Sequence, residues 1–553
     1  MRLKKSIYVV LFLFSFSALL AQSRVSPEGV KLERTLRLIE NLYVEEVDNY
    51  HLTEVAIRAI LKELDPHSSY LDKEEVKSMN EPLQGNFDGI GISFNMLTDT
   101  LYVVEVIAGG PSQKVGLQAG DKIIFVNDTL IAGVEMNNQR VIKMLRGKKG
   151  TAVNVKVQRR GVADLIDFKI VRDKIPIHSV DAAYMVNDST GYLRLARFGI
   201  HSGKEVKQSM AALLDKGMKH MVLDLTGNGG GILQTASEIV DEFLGRNKLV
   251  VYTEGLNQPR MELKTSAKGL FEEGEVWVDG RTTQNSRSKG GLEQGRLVVL
   301  VDEGSASASE IVAGAIQDWD RGVVVGRRTY GKGLVQRQVP LPDGTMIRLT
   351  VANYYTPTGR SIQKPYEGGK TEEYHKDFIH RFEHGEMLHA DSIQFPDSLR
   401  FTTLINKREV YGGGGIMPDY FVPVDTTTLT NLHRDLIAKG LINRVAINEV
   451  DEHRALLINQ FTTLEQYKEN YFVSDAMIEQ LKQMAAADKI EWNEDEYEQS
   501  RQLMGVQIKA LMGRDLYGAH AYFVVFNDEN DIFQEGLRII TDPAAYQQLI
   551  GGH

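Results

Sequence analysis

The chain contains no cysteine, so thiolate nucleophiles, cysteine zinc sites and disulfides are excluded together, and covalent chemistry must fall to Ser, Thr, Lys or a carboxylate. Leu297 to Val301 is an apolar run that leads into Asp302-Glu303-Gly304-Ser305-Ala306-Ser307-Ala308-Ser309-Glu310, followed by small and apolar residues through Ala315. A strand that turns tightly into a helix leaves free backbone N–H groups, and the positive end of the helix dipole, beside any nucleophile in the turn. The same three serines are also ordinary helix N-caps. The loop by itself does not choose between these roles.

Two further loops belong with the first. The pattern predicts a helix from Ser309 to about Gln317 and a strand at Val323 to Gly326, closing a βαβ unit whose right-handed crossover puts both strand ends at one edge of the sheet. Thr329-Tyr330-Gly331-Lys332-Gly333 follows at that edge, and a lysine between glycines can approach a serine without a bulky neighbour intervening. To accept a hydroxyl proton it must be neutral, which requires burial to pull its pKa well below about 10.4. The third loop, Asp224-Leu225-Thr226-Gly227-Asn228-Gly229-Gly230-Gly231, also lies between an apolar strand and a helix, where bare backbone can aim N–H groups at a reacting carbonyl. A phosphate-binding reading is weak, because Ile232 stands where the dinucleotide fingerprint needs its third glycine and no Gly-Lys-Ser/Thr follows. No His-Glu-x-x-His occurs, and His375, His380, His384 and His389 read as a solvated insertion, so no metal site and no cofactor are expected.

The elements that must carry these loops form several units. At 553 residues two to four are expected. Ser26 to Met79 has apolar residues at helical spacing, with Leu32, Leu36, Ile39 and Leu42 first, then Val55, Ala56, Ala59 and Ile60 until Pro66, and predicts a helical N-terminal domain over 26–82. Over 83–172 short alternating strands appear at Gly91 to Met96, Leu101 to Val106, Lys122 to Val126 and Val153 to Val157, with one helix from about Asn137 to Leu145. Over 173–425 strands alternate with helices, predicting an α/β core in which Met221 to Leu225, Leu297 to Val301 and Val323 to Val325 are buried on both faces. Residues 426–553 read as a helical C-terminal region, with amphipathic stretches at Glu452 to Glu469 and Asp475 to Ala486 and a closing strand at Ala521 to Phe526.

A net charge of -10, from 64 basic and 74 acidic residues, works against binding nucleic acid. Arg2, Lys4 and Lys5 followed by an apolar run from Ile7 to Leu20 predict a signal peptide over 1–21, whose apolar core is short for a bilayer span of roughly 20 residues, and therefore an exported, periplasmic or envelope protein. Membrane association is expected only if that segment is retained.

From Tyr43 to Val422 the sequence resembles the carboxyl-terminal processing, or tail-specific, serine peptidases. The motifs come in the family order. Leu64-Asp65-Pro66-His67-Ser68-Ser69-Tyr70-Leu71 looks like the helical entry motif, and Gly89-Ile90-Gly91-Ile92, Gly110-Pro111 and Gly116 to Ile123 resemble a PDZ domain. Gly304 to Glu310, Gly331-Lys332-Gly333-Leu334-Val335-Gln336, Thr356 to Arg360 and Gly415 to Asp419 complete the set. The resemblance implies a crotonase-like α/β protease core with an inserted PDZ domain. It also implies Ser307 as nucleophile, Lys332 as general base, Gln336 as the residue orienting the lysine, and the N–H groups of Ala308 and Gly230 as the oxyanion hole. Ile90, Gly91 and Ile92 would receive the free, apolar C-terminus of a protein or peptide substrate, and a homo-oligomer or an adaptor protein is a possible partner. Thr226-Gly227 departs from the family's usual Arg-Asn. The competing expectations are a catalytically silent scaffold that only binds tails, and an acyl-CoA enzyme on the same core, which leaves the PDZ stretch and the signal segment unexplained.

Overall fold

The computed structural model describes residues 26–97, 99–266, 276–278, 281–283 and 292–551. The stretch read as a signal peptide, 1–21, lies outside them. The chain opens with α1 (Pro27–Leu42) and α2 (Asn49–Lys62), capped by the side chains of Ser26 and Asp48. It continues through β1 (Ser69–Leu71) into α3 (Lys73–Gln84), which starts with an Asp72/Glu75 capping box. The helices stand where the periodicity puts them, but α1 buries no residue and Leu38, Leu42 and Ile60 are half or more exposed. This stretch encloses no core of its own.

Asn86–Gly89 and Asp173–Pro176 pair antiparallel and bracket the inserted PDZ unit. Its sheet runs β2 (Ile92–Leu97), β3 (Thr100–Val106), β4 (Lys122–Val126), β5 (Ala152–Gln158), β6 (Ile166–Val171), with β2 at an edge. Helix α4 (Asn138–Leu145) packs Val141 and Leu145 against Leu101, Val103, Ile123 and Val155. The last strand of the sheet, β6, was not foreseen from the sequence: its alternation ends in exposed Val171 and carries Asp167 and Lys169 on its outer positions.

The α/β core holds two sheets. The first is ordered β7 (Val180–Met185), β8 (Thr190–Leu195), β9 (His220–Asp224), β12 (Leu297–Val301), β13 (Val323–Gly326), β16 (Tyr420–Phe421), all neighbours parallel except β7 with β8. The second joins β1 to β15 (Met346–Tyr355), and β15 to β10 (Leu249–Gly255), β11 (Gln258–Lys264) following, while β14 (Leu334–Pro340) lies along the other edge of β15. On one face of the first sheet, Leu297, Val299 and Val301 pack under α5 (Ser202–Asp215), α6 (Leu233–Val240) and α7 (Ala308–Asp318). A further helix, α8 (Thr371–Glu383), projects from the insertion after β15.

The other face of that sheet is covered from the far end of the chain. After α9 (Asn431–Ala438), α10 (Leu441–Gln460), α11 (Leu464–Asn470), α12 (Asp475–Ala487) and α13 (Glu494–Tyr517) come α14 (Ala519–Phe526), α15 (Asp531–Thr541) and α16 (Pro543–Ile550). Ile532, Phe533, Ile539, Ile540, Tyr546 and Ile550 of the last two helices pack on Val222, Val298, Leu300, Val323 and Val325. One expectation is overturned by the structure. Ala521 to Phe526 is helical, not a strand: six apolar residues carry no decisive period, and this stretch is packed between α13 and β7. The stretch Glu452 to Glu469 is two helices, broken at Phe461 to Thr463, where Thr463 caps the second. The helices α9 to α13 form their own cluster and touch the PDZ unit through Tyr102, Val104 and Ile447 and through Lys122 Nζ to Asp451 at 2.9 Å. Among the described residues no helix is long and apolar enough to cross a membrane, and no group of His, Asp and Glu is placed to hold a metal ion.

Candidate active site

Ser307 is the N-cap of α7, with φ 57° and ψ -110°, a conformation that costs a non-glycine residue of order 1–3 kcal/mol and persists only when its surroundings impose it. The imposing group is Glu310, fully buried one turn into α7. Its carboxylate accepts from the N–H groups of Ser307 (2.8 Å), Gly331 (2.7 Å) and Lys332 (2.9 Å) and from Thr329 Oγ1 (2.6 Å). Burial pushes its pKa up to about 7, and the four donors oppose that rise. One side chain thus fixes the serine turn and the lysine turn to each other.

Tyr354 on β15 repeats the tie from the opposite side, its buried hydroxyl lying between the carbonyls of Ser307 (3.1 Å) and Lys332. Neither Glu310 as a clamp nor Tyr354 was found from sequence. Glu310 left a signal, since Ser-x-x-Glu at the mouth of a helix is the capping-box spacing; Tyr354 lies two residues before the Thr356 to Arg360 motif and outside it.

Lys332 is largely buried. Desolvation first, then the charge of Arg348, pulls its pKa down to about 8, with Glu310 and Asp65 pulling the other way. Ser307 and Lys332 line one cavity of about 490 Å³, together with Gly229, Gly230, Gly231, Gln336, Gln338, Arg348 and Tyr354. No hydrogen bond joins the Ser307 hydroxyl to the lysine amine, as is common in substrate-free sites, and the buried Nε2 of Gln336 has no partner among the described residues.

The glycine loop is held closely despite Thr226-Gly227. Arg194 of β8 donates to Asp224 (2.7 Å), Thr226 Oγ1 (2.8 Å) and Thr226 O (3.0 Å), and Gly227 N–H donates to Asp302 (2.8 Å). Asn228, fully buried, donates to Leu195 O at 2.6 Å and accepts from Ala306 N–H and Ser309 Oγ through its own carbonyl. Gly230 (φ 95°) lies so close to the serine turn that a Cβ there would stand 2.6 Å from Ala306 O and 2.8 Å from Ser307 Cβ. Its N–H, however, is occupied by Asn228 Oδ1 at 2.9 Å. The N–H of Ala308 has no partner among the described residues.

The entry motif reaches the same place. Asp65 accepts from His67 N–H, Ser68 N–H, Ser68 Oγ and Thr350 Oγ1. His67 Nε2 meets Tyr374 Oη of α8 at 2.9 Å, and burial, with Lys332 adding to it, lowers His67 to about 4. Tyr374 also accepts from Gln363 Nε2 (3.2 Å), whose Oε1 accepts from Gly333 N–H (2.8 Å) beside the lysine. None of the four histidines of that insertion hydrogen-bonds in this chain of contacts, although the His375 ring lies edge-on to Tyr374 with centroids 5.9 Å apart.

In the PDZ unit, a small hollow of about 130 Å³ lies between β2 and α4, walled by Ile92, Phe94, Ile142, Leu145 and Arg146. Ile90 points into the domain core at 3% exposure, and its carbonyl accepts from Ser112. The N–H groups of Ile90 and Gly91 have no partner among the described residues.

Comparison with known proteins follows these features. Residues 189–371 match the family model of peptidase family S41, residues 89–170 that of the PDZ domain, and residues 18–75 that of the activating protease CtpB N-terminal domain. Residues 432–518 match a family of unknown function. The chain is 34% identical over 337 residues to the carboxy-terminal processing protease CtpB of Bacillus subtilis (strain 168), covering 60% of this chain and 65% of that one. It is 36% identical over 329 residues to a carboxy-terminal-processing protease of Bartonella bacilliformis, covering 59% and 70%. A solved photosystem II D1 C-terminal processing protease is similar at 29% identity and a TM-score of 0.31, covering 59% of this chain and 83% of that one.

Proposed function

Because the chain belongs to peptidase family S41 and to its carboxy-terminal processing proteases, we propose that it is an exported endopeptidase that cuts proteins near their C-termini with Ser307 and Lys332. The Ser307 hydroxyl attacks the scissile carbonyl while the neutral Lys332 amine takes its proton; the ammonium then protonates the departing amine, and water attacks the Ser307 ester with Lys332 again as base. Gln336, whose amide is buried and unpartnered in the same cavity, holds the lysine once substrate is in place. Ala308 N–H receives the developing oxyanion, and Gly230 N–H joins it by giving up Asn228 Oδ1.

The observation that supports this reading most is the double tie between the two turns. Glu310 and Tyr354 bind the backbone of both Ser307 and Lys332, so a strained serine and a lysine of lowered pKa share one cavity. Ser307→Ala and Lys332→Ala are expected to abolish peptide cleavage with unchanged melting behaviour, and Lys332→Arg to stay inactive, because a guanidinium does not give up its proton in a protein. A fluorophosphonate probe should label Ser307 and no other serine; full cleavage by either alanine variant would remove the dyad. Substrate tails would enter the PDZ hollow as an added strand on β2, with the terminal carboxylate on the N–H groups of Ile90 and Gly91. Export rests on the basic and apolar N-terminus and is checked by finding the mature chain outside the cytoplasm with its first residues missing.

A further inference from the structure

The cavity around Ser307 carries an unbalanced charge. Arg197, Lys332 and Arg348 line it, and no Asp or Glu does, although the chain as a whole has a net charge of -10. Arg348 is the unusual member. Other buried guanidinium groups of the protein are satisfied, by carboxylates in Arg360 with Asp318 (2.7 Å), Arg194 with Asp224 (2.7 Å) and Arg408 with Asp320 (2.8 Å), and by backbone carbonyls in Arg172 and Arg321. Arg348, on β15 opposite Gln338 of β14, has no ion pair among the described residues; its Nη1 meets only Met79 Sδ at 3.9 Å, and its buried Nε has no partner. Asp65, the acid that acts on it most strongly, already accepts four hydrogen bonds from its own turn and from Thr350. A half-buried guanidinium without a counter-ion is costly, and its planar fork is shaped for a carboxylate.

We propose that Arg348 is a specificity-determining residue that receives a carboxylate of the substrate close to the scissile bond. The inference rests on Ser307 being the nucleophile. The carboxylate is supplied either by an Asp or Glu side chain or by the substrate's own C-terminus, and both would complete the ion pair that the protein leaves open. Arg197, lining the same cavity, adds to the positive field but not to the selection of one position.

The test uses the full chain and internally quenched peptides acetylated at one end and amidated at the other, which removes any terminal carboxylate and with it capture by the PDZ hollow. One Asp is moved through each position flanking the cut. A second set has no acidic side chain but a free C-terminus at varied distance from the cut. One position in one set should be cut with a kcat/KM at least roughly tenfold above the others, the size expected of a charge-assisted pair. Arg348→Gln should erase that preference, and Arg348→Glu should transfer it to a Lys at the same position; because losing the Arg348 charge lets the Lys332 pKa rise, preferences are compared within each variant at a pH above its own lysine pKa, where labelling of Ser307 by the fluorophosphonate shows the site intact. A preference in the first set identifies a side-chain carboxylate, and in the second a terminal one. Flat scans in both sets, or a preference kept by Arg348→Gln, would overturn the inference; failure of the wild type to label at Ser307 would instead overturn the peptidase reading beneath it.

Discussion

Glu310 shows how much one side chain contributes here. Its four bonds all come from donors, so the carboxylate is the form that fits, and an amide in its place would turn N–H against N–H. Glu310→Gln is expected to lower stability by about 1–3 kcal/mol, read as a drop in Tm, and to reduce kcat by more than the loss of folded protein explains, because both reacting groups lose their common support. As the proposed base, Lys332 is expected to set the pH dependence. With its pKa lowered to about 8, the neutral base is present above that pH and is lost as pH falls through it, so kcat/KM should drop about tenfold per pH unit on the acidic side. A rate flat from pH 9 down to acid unfolding would contradict Lys332 as base. At this scale the sequence showed the serine and the lysine through their loops of small residues, and hid Glu310's contacts and Tyr354, because those depend on which strands become neighbours.

The elements were read best where local chemistry is self-sufficient. The strand at Leu297–Val301, the helix after Ser307 and the strand at Val323–Gly326 carry apolar runs, a capping box and a parallel pairing that agree with one another. The apolar helix Ala519–Phe526 was misread because its partners, α13 and β7, are distant in sequence. The PDZ hollow offers an element-scale prediction. Gly91 has φ 78°, and a Cβ there would lie 3.0 Å from Ile175 Cδ1 and 3.3 Å from Pro111 Cδ, so Gly91→Val must shift the loop whose N–H groups are proposed above to receive a tail carboxylate. Wild type is expected to cut long substrates with free C-termini faster than amidated ones; Gly91→Val should cut both alike and leave short capped peptides unaffected. Equal rates in the wild type would dismiss tail capture and leave the dyad untouched.

Over the whole molecule, the sheet that carries the Ser307 turn is covered on one face by helices of the α/β core and on the other by helices of the C-terminal region. Leu297, Val299 and Val301 face the helices that carry Ser307, whereas Val298 and Leu300 face Ile539 and Ile540 near the C-terminus. The continuous apolar run at Leu297–Val301 announced burial on both sides, but nothing in it named the second cover. Ile540→Ala should cost 2–5 kcal/mol, roughly the penalty of a buried cavity, lowering Tm without changing the pH profile of the remaining activity. The same arrangement fixes an order in time. A chain delivered N-terminus first presents its Ser307 and Lys332 segments before residues 531–550, and until those arrive one face of the sheet that holds the turns is bare. Proteolytic competence is therefore expected only once residues 531–550 are in place: chains ending before Asp531 should fail to react with a fluorophosphonate at Ser307, and adding 531–550 back as a separate peptide should restore labelling. Full labelling of the truncated chain would show that the nascent protease is already armed.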